Sequence, residues 1–205
     1  MRNDRSDHFN KSLYLLFRQI VRIGLRLFWR VRVTGRERVP AEGAVLLCIN
    51  HIGAVDALAV SAALVRPVHV MSKIELFSRL GWLLSAVGAF PVKRNAHDMR
   101  AVRQTLRLMR QGRVVALFPE GHRQNSGVLG QPHSGSGSLI AHCGAVVIPV
   151  AIRGSWKLWR RVEIKFGPPL DVSDSEDPAG DVMRAIARLY YRSDELGLGF
   201  PWTEP

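Results

Sequence analysis

Cysteine is scarce in this 205-residue chain: Cys48 and Cys143 are the only two, each inside an apolar segment and neither in a Cys-x-x-Cys pattern. Their spacing excludes a disulfide framework and a zinc site, and makes both thiols expected core residues. Long hydrophobic runs are missing as well. A bilayer-spanning helix takes about 20 largely apolar residues, whereas the best uninterrupted candidate, Leu80 to Val92, ends in a Phe-Pro turn after thirteen. No N-terminal stretch reads as a signal peptide, because arginine interrupts the apolar run every four residues. There is no internal repeat, no G-x-S-x-G nucleophile elbow and no His/Cys/Asp/Glu cluster at metal-ligand spacing, so no metal is expected. Acidic residues are few, 17 against 29 Lys+Arg, for a net charge of +12. Ten basic and three acidic side chains fall within the first forty residues, which gives the chain a basic arm. Such an arm attracts nucleic acid, anionic lipid or acidic partners. Few aromatics interleave with the basic residues, which argues against nucleic acid.

What is present is an ordinary globular balance, 47% hydrophobic and 22% charged, in a chain long enough for one domain with a full core. From Ser12 to Arg30, Leu13, Leu16, Phe17, Ile20, Val21, Gly24, Leu27 and Phe28 recur at helical spacing, while Arg18, Arg22, Arg26 and Arg30 form an i, i+4 ladder. Two roles fit this basic amphipathic helix: a surface helix with a solvated arginine face, or an interfacial helix with its apolar face in lipid and arginines on phosphates. Residues 1–32 are therefore set apart as a basic membrane-interface segment and residues 33–205 as a separate domain.

Short β-rich runs follow at Val31–Thr34, Val45–Ile49, Val68–Met71, Phe90–Val92, Val114–Phe118, Val146–Ile152 and Val162–Phe166. Helical patterns lie between and after them, at Asp56–Leu64, Ile74–Ala86, Asp98–Gln111, Ser136–Cys143 and Asp181–Leu196. The Ser134–Ser138 patch of alternating serine and glycine reads as a tight loop into a helix. This alternation predicts an α/β fold, a largely parallel mixed sheet flanked by helices. Functional groups then gather at the carboxyl ends of the strands.

Three strand ends carry polar groups. After Val45–Ile49 comes Asn50-His51-Ile52-Gly53-Ala54-Val55-Asp56. With His51 in the loop and Asp56 in the first helical turn, Asp56 accepts from one ring nitrogen and leaves the other as a base. Gly53 permits the bend. After Phe90–Val92, Lys93 and Arg94 suit a phosphate, with Arg94 able to grip it bidentately, and the start of an ordinary solvated helix is the alternative. After Val114–Phe118, Glu120 beside Gly121 offers a carboxylate to polyol hydroxyls, or holds Arg123 toward a phosphate, and a structural salt bridge is the alternative.

Together and in this order, the blocks resemble the lysophospholipid/glycerolipid acyltransferase family over about residues 33–170. The resemblance implies that Asn50, His51 and Asp56 form the catalytic N-H-x4-D block. It implies that Gly88, Phe90 and Arg94 form a block binding the acceptor's phosphate. Phe118, Pro119, Glu120, Gly121 and Arg123 stand for a block binding its glycerol and phosphate, and Val147-Ile148-Pro149-Val150 for a strand helping to form the acyl pocket. Two positions depart from the pattern: His122 replaces a threonine, and His133 a lysine. The implied reaction moves an acyl group from acyl-coenzyme A or acyl-carrier protein, a co-substrate rather than a cofactor, to the free hydroxyl of a lysophosphatidate, giving phosphatidate. The implied setting is the cytoplasmic face of the cell membrane, peripheral or monotopic, on anionic lipid. The Arg100, Arg103, Arg107 and Arg110 stripe is open to lipid, coenzyme A phosphates, an acidic carrier protein or plain solvent. Trp156 and Trp159 are read as interfacial anchors or surface. Competing readings are a different lysolipid acceptor such as a lyso-ornithine lipid, a non-enzymatic module binding anionic membranes, and a thioester hydrolase.

Overall fold

All seven strands predicted from β-rich runs pair into one sheet, in the order β1-β7-β6-β2-β5-β3-β4. They are β1 (Arg30–Thr34), β2 (Val45–Ile49), β3 (Val68–Lys73), β4 (Ala89–Val92), β5 (Val114–Leu117), β6 (Val146–Gly154) and β7 (Arg161–Phe166). The computed structural model describes residues 9–93, 98–124 and 128–191. Every pairing is parallel except β6 with β7, which places a mixed edge on a parallel sheet. Central β2 is buried along its whole length, because helices cover both faces. Leu46 and Cys48 point to one apolar cluster, and Val45, Leu47 and Ile49 to the other. Cys48 and Cys143 are buried free thiols, and burial pushes the Cys48 thiol well above its usual range.

Among the described residues six α-helices flank the sheet: α1 (Lys11–Phe28), α2 (Asp56–Ala63), α3 (Phe77–Ala86), α4 (Met99–Arg110), α5 (Ser134–His142) and α6 (Pro178–Tyr190). The Ser134–Ser138 patch is not a loop but the first turn of α5. His133 caps it, and the Ser136 hydroxyl closes the turn on the His133 carbonyl at 2.6 Å. Helix α6 starts three residues earlier than expected, because Asp177 caps Gly180 and Pro178 suits the first turn. Residues 192–196 of that expected helix lie outside the described residues.

Helix α1 departs most from expectation. Its buried side chains are Tyr14 and Leu25, and the tyrosine hydroxyl accepts the Val68 amide at 3.1 Å. Arg18 turns inward and donates to the carbonyls of Leu64 (3.0 Å) and Val65 (2.6 Å), the open C-terminal end of α2. Leu16, Ile20, Ile23 and Leu27, three of them read as core-facing, lie on one face at i, i+4, i+7 and i+11 and are 49–59% exposed. The apolar stripe read as core-facing is thereby corrected to an exposed one, while Arg26 and Arg30 of the ladder also stay exposed. The helix carries two apolar stripes, and docking uses the one that includes the Tyr14 hydroxyl. Arg30 is the first residue of β1, so a boundary at residue 32 falls inside a strand of the sheet. No helix among the described residues is long and apolar enough to cross a membrane.

Candidate active site

Adjacent strands β6, β2 and β5 run parallel, so their carboxyl ends open at one edge of the sheet. His51 leaves β2 and Asp56 opens α2. The His51 Nδ1 lies 2.8 Å from Asp56 Oδ2. The same oxygen accepts the backbone N–H groups of Ile52 (2.7 Å) and Gly53 (2.8 Å), and Oδ1 accepts the Trp156 indole N–H at 2.6 Å. A carboxylate that receives three N–H donors and sits fully buried at a helix N-terminus is held as an acceptor. Nδ1 of His51 therefore donates, and Nε2 is left to take a proton. The imidazole stacks on Phe118, 4.2 Å between centroids and 28° between planes, and stays 7% exposed. Gly53 has a different reason from the one read in the sequence: a Cβ there would lie 2.3 Å from Trp156 Cδ1.

The backbone of His51 is pinned at both ends. Its N–H donates to Glu120 Oε2 at 2.8 Å, and its carbonyl accepts the Gln124 amide at 2.7 Å. Glu120 Oε1 accepts the Gly130 amide at 2.8 Å. With 1% exposure and each oxygen accepting a backbone N–H, Glu120 braces the His51 turn. The Asn50 side chain donates to the Ile152 carbonyl (2.9 Å) and accepts the Ile152 N–H (2.7 Å), extending the β2–β6 ladder by side chain. The amides of His51, Ile52 and Gly53 are thus all committed inside the protein, and none remains for an oxyanion.

Other expected binding residues divide between core and rim. Phe90 is buried under α4, and Pro149 is buried in β6, its carbonyl accepting the Gly167 amide at 2.8 Å. Gly88 begins the opposite, amino end of β4 with φ +89°, against His69, so it shapes a turn away from His51. Gly121 has φ +71° and closes the turn after Glu120, packed under His133. Lys93 is exposed at the carboxyl end of β4, its N–H held by Asp98 at 2.9 Å, and Arg123 is exposed beside Glu120. Arg94 lies outside the described residues. Both departures from the family pattern border one turn: His133 donates its N–H to the Pro119 carbonyl at 2.8 Å, and the His122 ring meets the Gln124 amide at 3.1 Å. Trp156 and the stacked Phe118 ring are the partners that the sequence reading missed, and no spacing rule joins Trp156 to Asp56 across the chain.

Burial pushes Glu120 up to about 7, the Asp56 charge adds to this, and the two backbone N–H bonds oppose it. Between the unfolded carboxylate range and about 7 the folded protein holds the extra proton, so the Glu120 contribution to stability falls as pH rises through that window. His69, pushed down to about 4 mainly by its own burial, contributes the opposite slope from about 4 to its usual range. The difference between wild type and Glu120→Gln isolates the glutamate. Glutamine sets an NH2 against one backbone donor, so the variant is less stable throughout. Its deficit is expected to shrink by about 1–3 kcal/mol between pH 5 and pH 8, read from denaturant midpoints.

Residues 30–153 match the family described as Acyltransferase. The chain is 28% identical over 171 residues to the 1-acyl-sn-glycerol-3-phosphate acyltransferase of Bacillus subtilis, covering 79% of this chain and 84% of that one. It is 26% identical over 141 residues to the chloroplastic 1-acyl-sn-glycerol-3-phosphate acyltransferase LPAT1 of Arabidopsis thaliana, covering 66% of this chain and 39% of the relative. In fold it is similar to the crystal structure of the 1-acyl-sn-glycerophosphate acyltransferase PlsC from Thermotoga maritima. That match has a TM-score of 0.71 at 20% identity, over 92% of this chain and 82% of the other.

Proposed function

The chain belongs to the acyltransferase family, and from that premise we propose that it moves an acyl group from an acyl thioester to the free hydroxyl of a 1-acyl-glycerol-3-phosphate. The observation that carries this reading is the buried His51–Asp56 pair, with Nδ1 committed to Asp56 and Nε2 available. Nε2 takes the hydroxyl proton as the oxygen attacks the thioester carbonyl. The tetrahedral adduct then expels the thiolate, which receives that proton, leaving an ester and a free thiol. No covalent acyl-enzyme is needed, since no nucleophilic side chain sits beside His51 in the hydrogen-bond network described above. Lys93, Arg94 and Arg123 are the cations proposed to meet the acceptor's phosphate. Support for this acceptor comes from the names of the Bacillus and Arabidopsis relatives. The test is a transfer assay crossing acyl-coenzyme A and acyl-carrier protein donors with lysophosphatidate and head-group variants. Transfer to lysophosphatidate in preference to the others is the expected result, and preference for another lysolipid moves the acceptor but not the reaction. His122 and His133, beside the Glu120–Gly121 turn, favour that second acceptor reading, because they stand where the family pattern has a threonine and a lysine.

The site is proposed to work at an anionic membrane surface. The Leu16, Ile20, Ile23 and Leu27 stripe of α1, with exposed Leu76 just before α3 and exposed Leu80 and Trp82 on it, supplies apolar area, and exposed Arg26 and Arg30 supply charge. Replacing Leu16 and Ile20 together by glutamate removes about 1.5–3 kcal/mol of apolar transfer per side chain. Co-sedimentation with anionic vesicles is expected to weaken by about 100-fold or more, with the unfolding midpoint held. Unchanged vesicle binding overturns the placement of this face.

A further inference from the structure

Trp156 lies on the connection between β6 and β7, a hundred positions along the chain from Asp56 and outside the four sequence blocks. Its indole N–H is the donor at Asp56 Oδ1, at 2.6 Å, while Oδ2 receives His51 Nδ1 and the amides of Ile52 and Gly53. The indole also fills the space above Gly53, where a Cβ would lie 2.3 Å from Cδ1 and 2.9 Å from Nε1. On its other side Trp156 is held by the end of α1: the Trp29 indole N–H donates to the Trp156 carbonyl at 3.0 Å, and the two rings meet edge to face at 6.0 Å and 78°. Three residues on, Trp159 donates its backbone N–H to the Phe28 carbonyl at 2.9 Å, with its ring 6.4 Å from that of Phe28. The end of α1 and the β6–β7 connection are thus tied by two hydrogen bonds and two ring contacts.

We propose that Trp156 is a positioning residue for the His51–Asp56 pair, and that Trp29 holds it there. The proposal rests on His51 acting as the base, as set out above. A buried carboxylate with a donor on each oxygen has one orientation about its terminal torsion, and that orientation aims His51. Removing the indole N–H leaves Oδ1 buried without a partner and frees the carboxylate to turn among its three remaining donors. The chain Trp29, Trp156, Asp56, His51 runs from the end of a helix with an exposed apolar face to the reacting nitrogen. The β6–β7 connection is where the seating of α1 meets the chemistry.

The decisive variant carries β-(3-benzothienyl)alanine at position 156, which keeps the bicyclic shape and lacks the N–H. Trp156→Phe and Trp29→Phe accompany it, with unfolding midpoints to show that each is folded. The benzothienyl protein is expected to lose about 10-fold in kcat with donor and acceptor KM within about two-fold, and to show a displaced acid limb in its kcat–pH profile. Trp156→Phe follows the same pattern, and Trp29→Phe shows a smaller loss of the same kind. Full kcat and an unchanged pH profile in the benzothienyl protein overturn the proposal, whatever Trp156→Phe does. A second readout needs no turnover: the proton resonance of the His51 Nδ1–H, which is expected to move in the benzothienyl protein. Should His51→Ala retain transfer, the base assignment fails, while that resonance still reports whether Trp156 holds Asp56.

Discussion

Alanine at position 51 is expected to lower acyl transfer by about 10²–10⁴-fold, the range supplied by a positioned general base, while leaving the protein folded. The side chain gives the fold one hydrogen bond, to Asp56, and one ring contact, with Phe118. Its backbone bonds to Glu120 and Gln124 survive the substitution. Asp56 keeps three of its donors, the Ile52 and Gly53 amides and the Trp156 indole. The stability cost is about 1–2 kcal/mol, one net hydrogen bond and a partly filled space. Steady-state transfer rates and a denaturant titration, run on the same preparation, check both halves. Vesicle binding is expected to be unaffected, which separates this protein from a module that only binds membranes.

Asparagine at position 56 is expected to act on rate and stability together. An amide offers one oxygen where the carboxylate offered two. With that oxygen toward His51, the NH2 faces the Trp156 indole N–H; turned over, it faces the two backbone amides and Nδ1. Either way buried donors lose their acceptor, at about 2–4 kcal/mol. The negative charge that sets the His51 tautomer is also gone, and transfer is expected to fall by about 10³-fold. A variant with normal turnover and a lowered unfolding midpoint would show that Asp56 serves the fold alone. Circular dichroism at the assay temperature ensures that the rate is measured on folded protein.

The strands were legible because each central one is a continuous apolar run bounded by polar or turn residues. Val45–Ile49 and Val114–Leu117 owe this to their burial on both faces of a parallel sheet. The strand ends that carry His51 and Glu120 follow from the same reading. What periodicity does not contain is a choice between stripes: α1 presents apolar residues on two sides, and the buried side was decided by Tyr14 and Arg18 finding polar partners on β3 and at the end of α2. Asn50 and Glu120 were legible as members of the site, but their bonds to backbone were not. Sequence locates a polar side chain, but backbone groups distant in the chain, Ile152 for Asn50 and Gly130 for Glu120, decide which of its atoms are free. The Ser134–Ser138 patch looked like a loop because serine and glycine usually interrupt helices. Its Ser136 hydroxyl instead supplies the closing bond of a helical turn.

The most direct test follows the label of an acyl thioester. Purified protein, anionic vesicles and lysophosphatidate are incubated with labelled acyl-coenzyme A or acyl-carrier protein, and the products are separated for wild type and His51→Ala in parallel. Label in phosphatidate, with one thiol released per acyl group moved and its formation about 100-fold or more slower in His51→Ala, is the expected result. Label appearing as free fatty acid, or phosphatidate formed equally by His51→Ala, would contradict acyl transfer driven by His51.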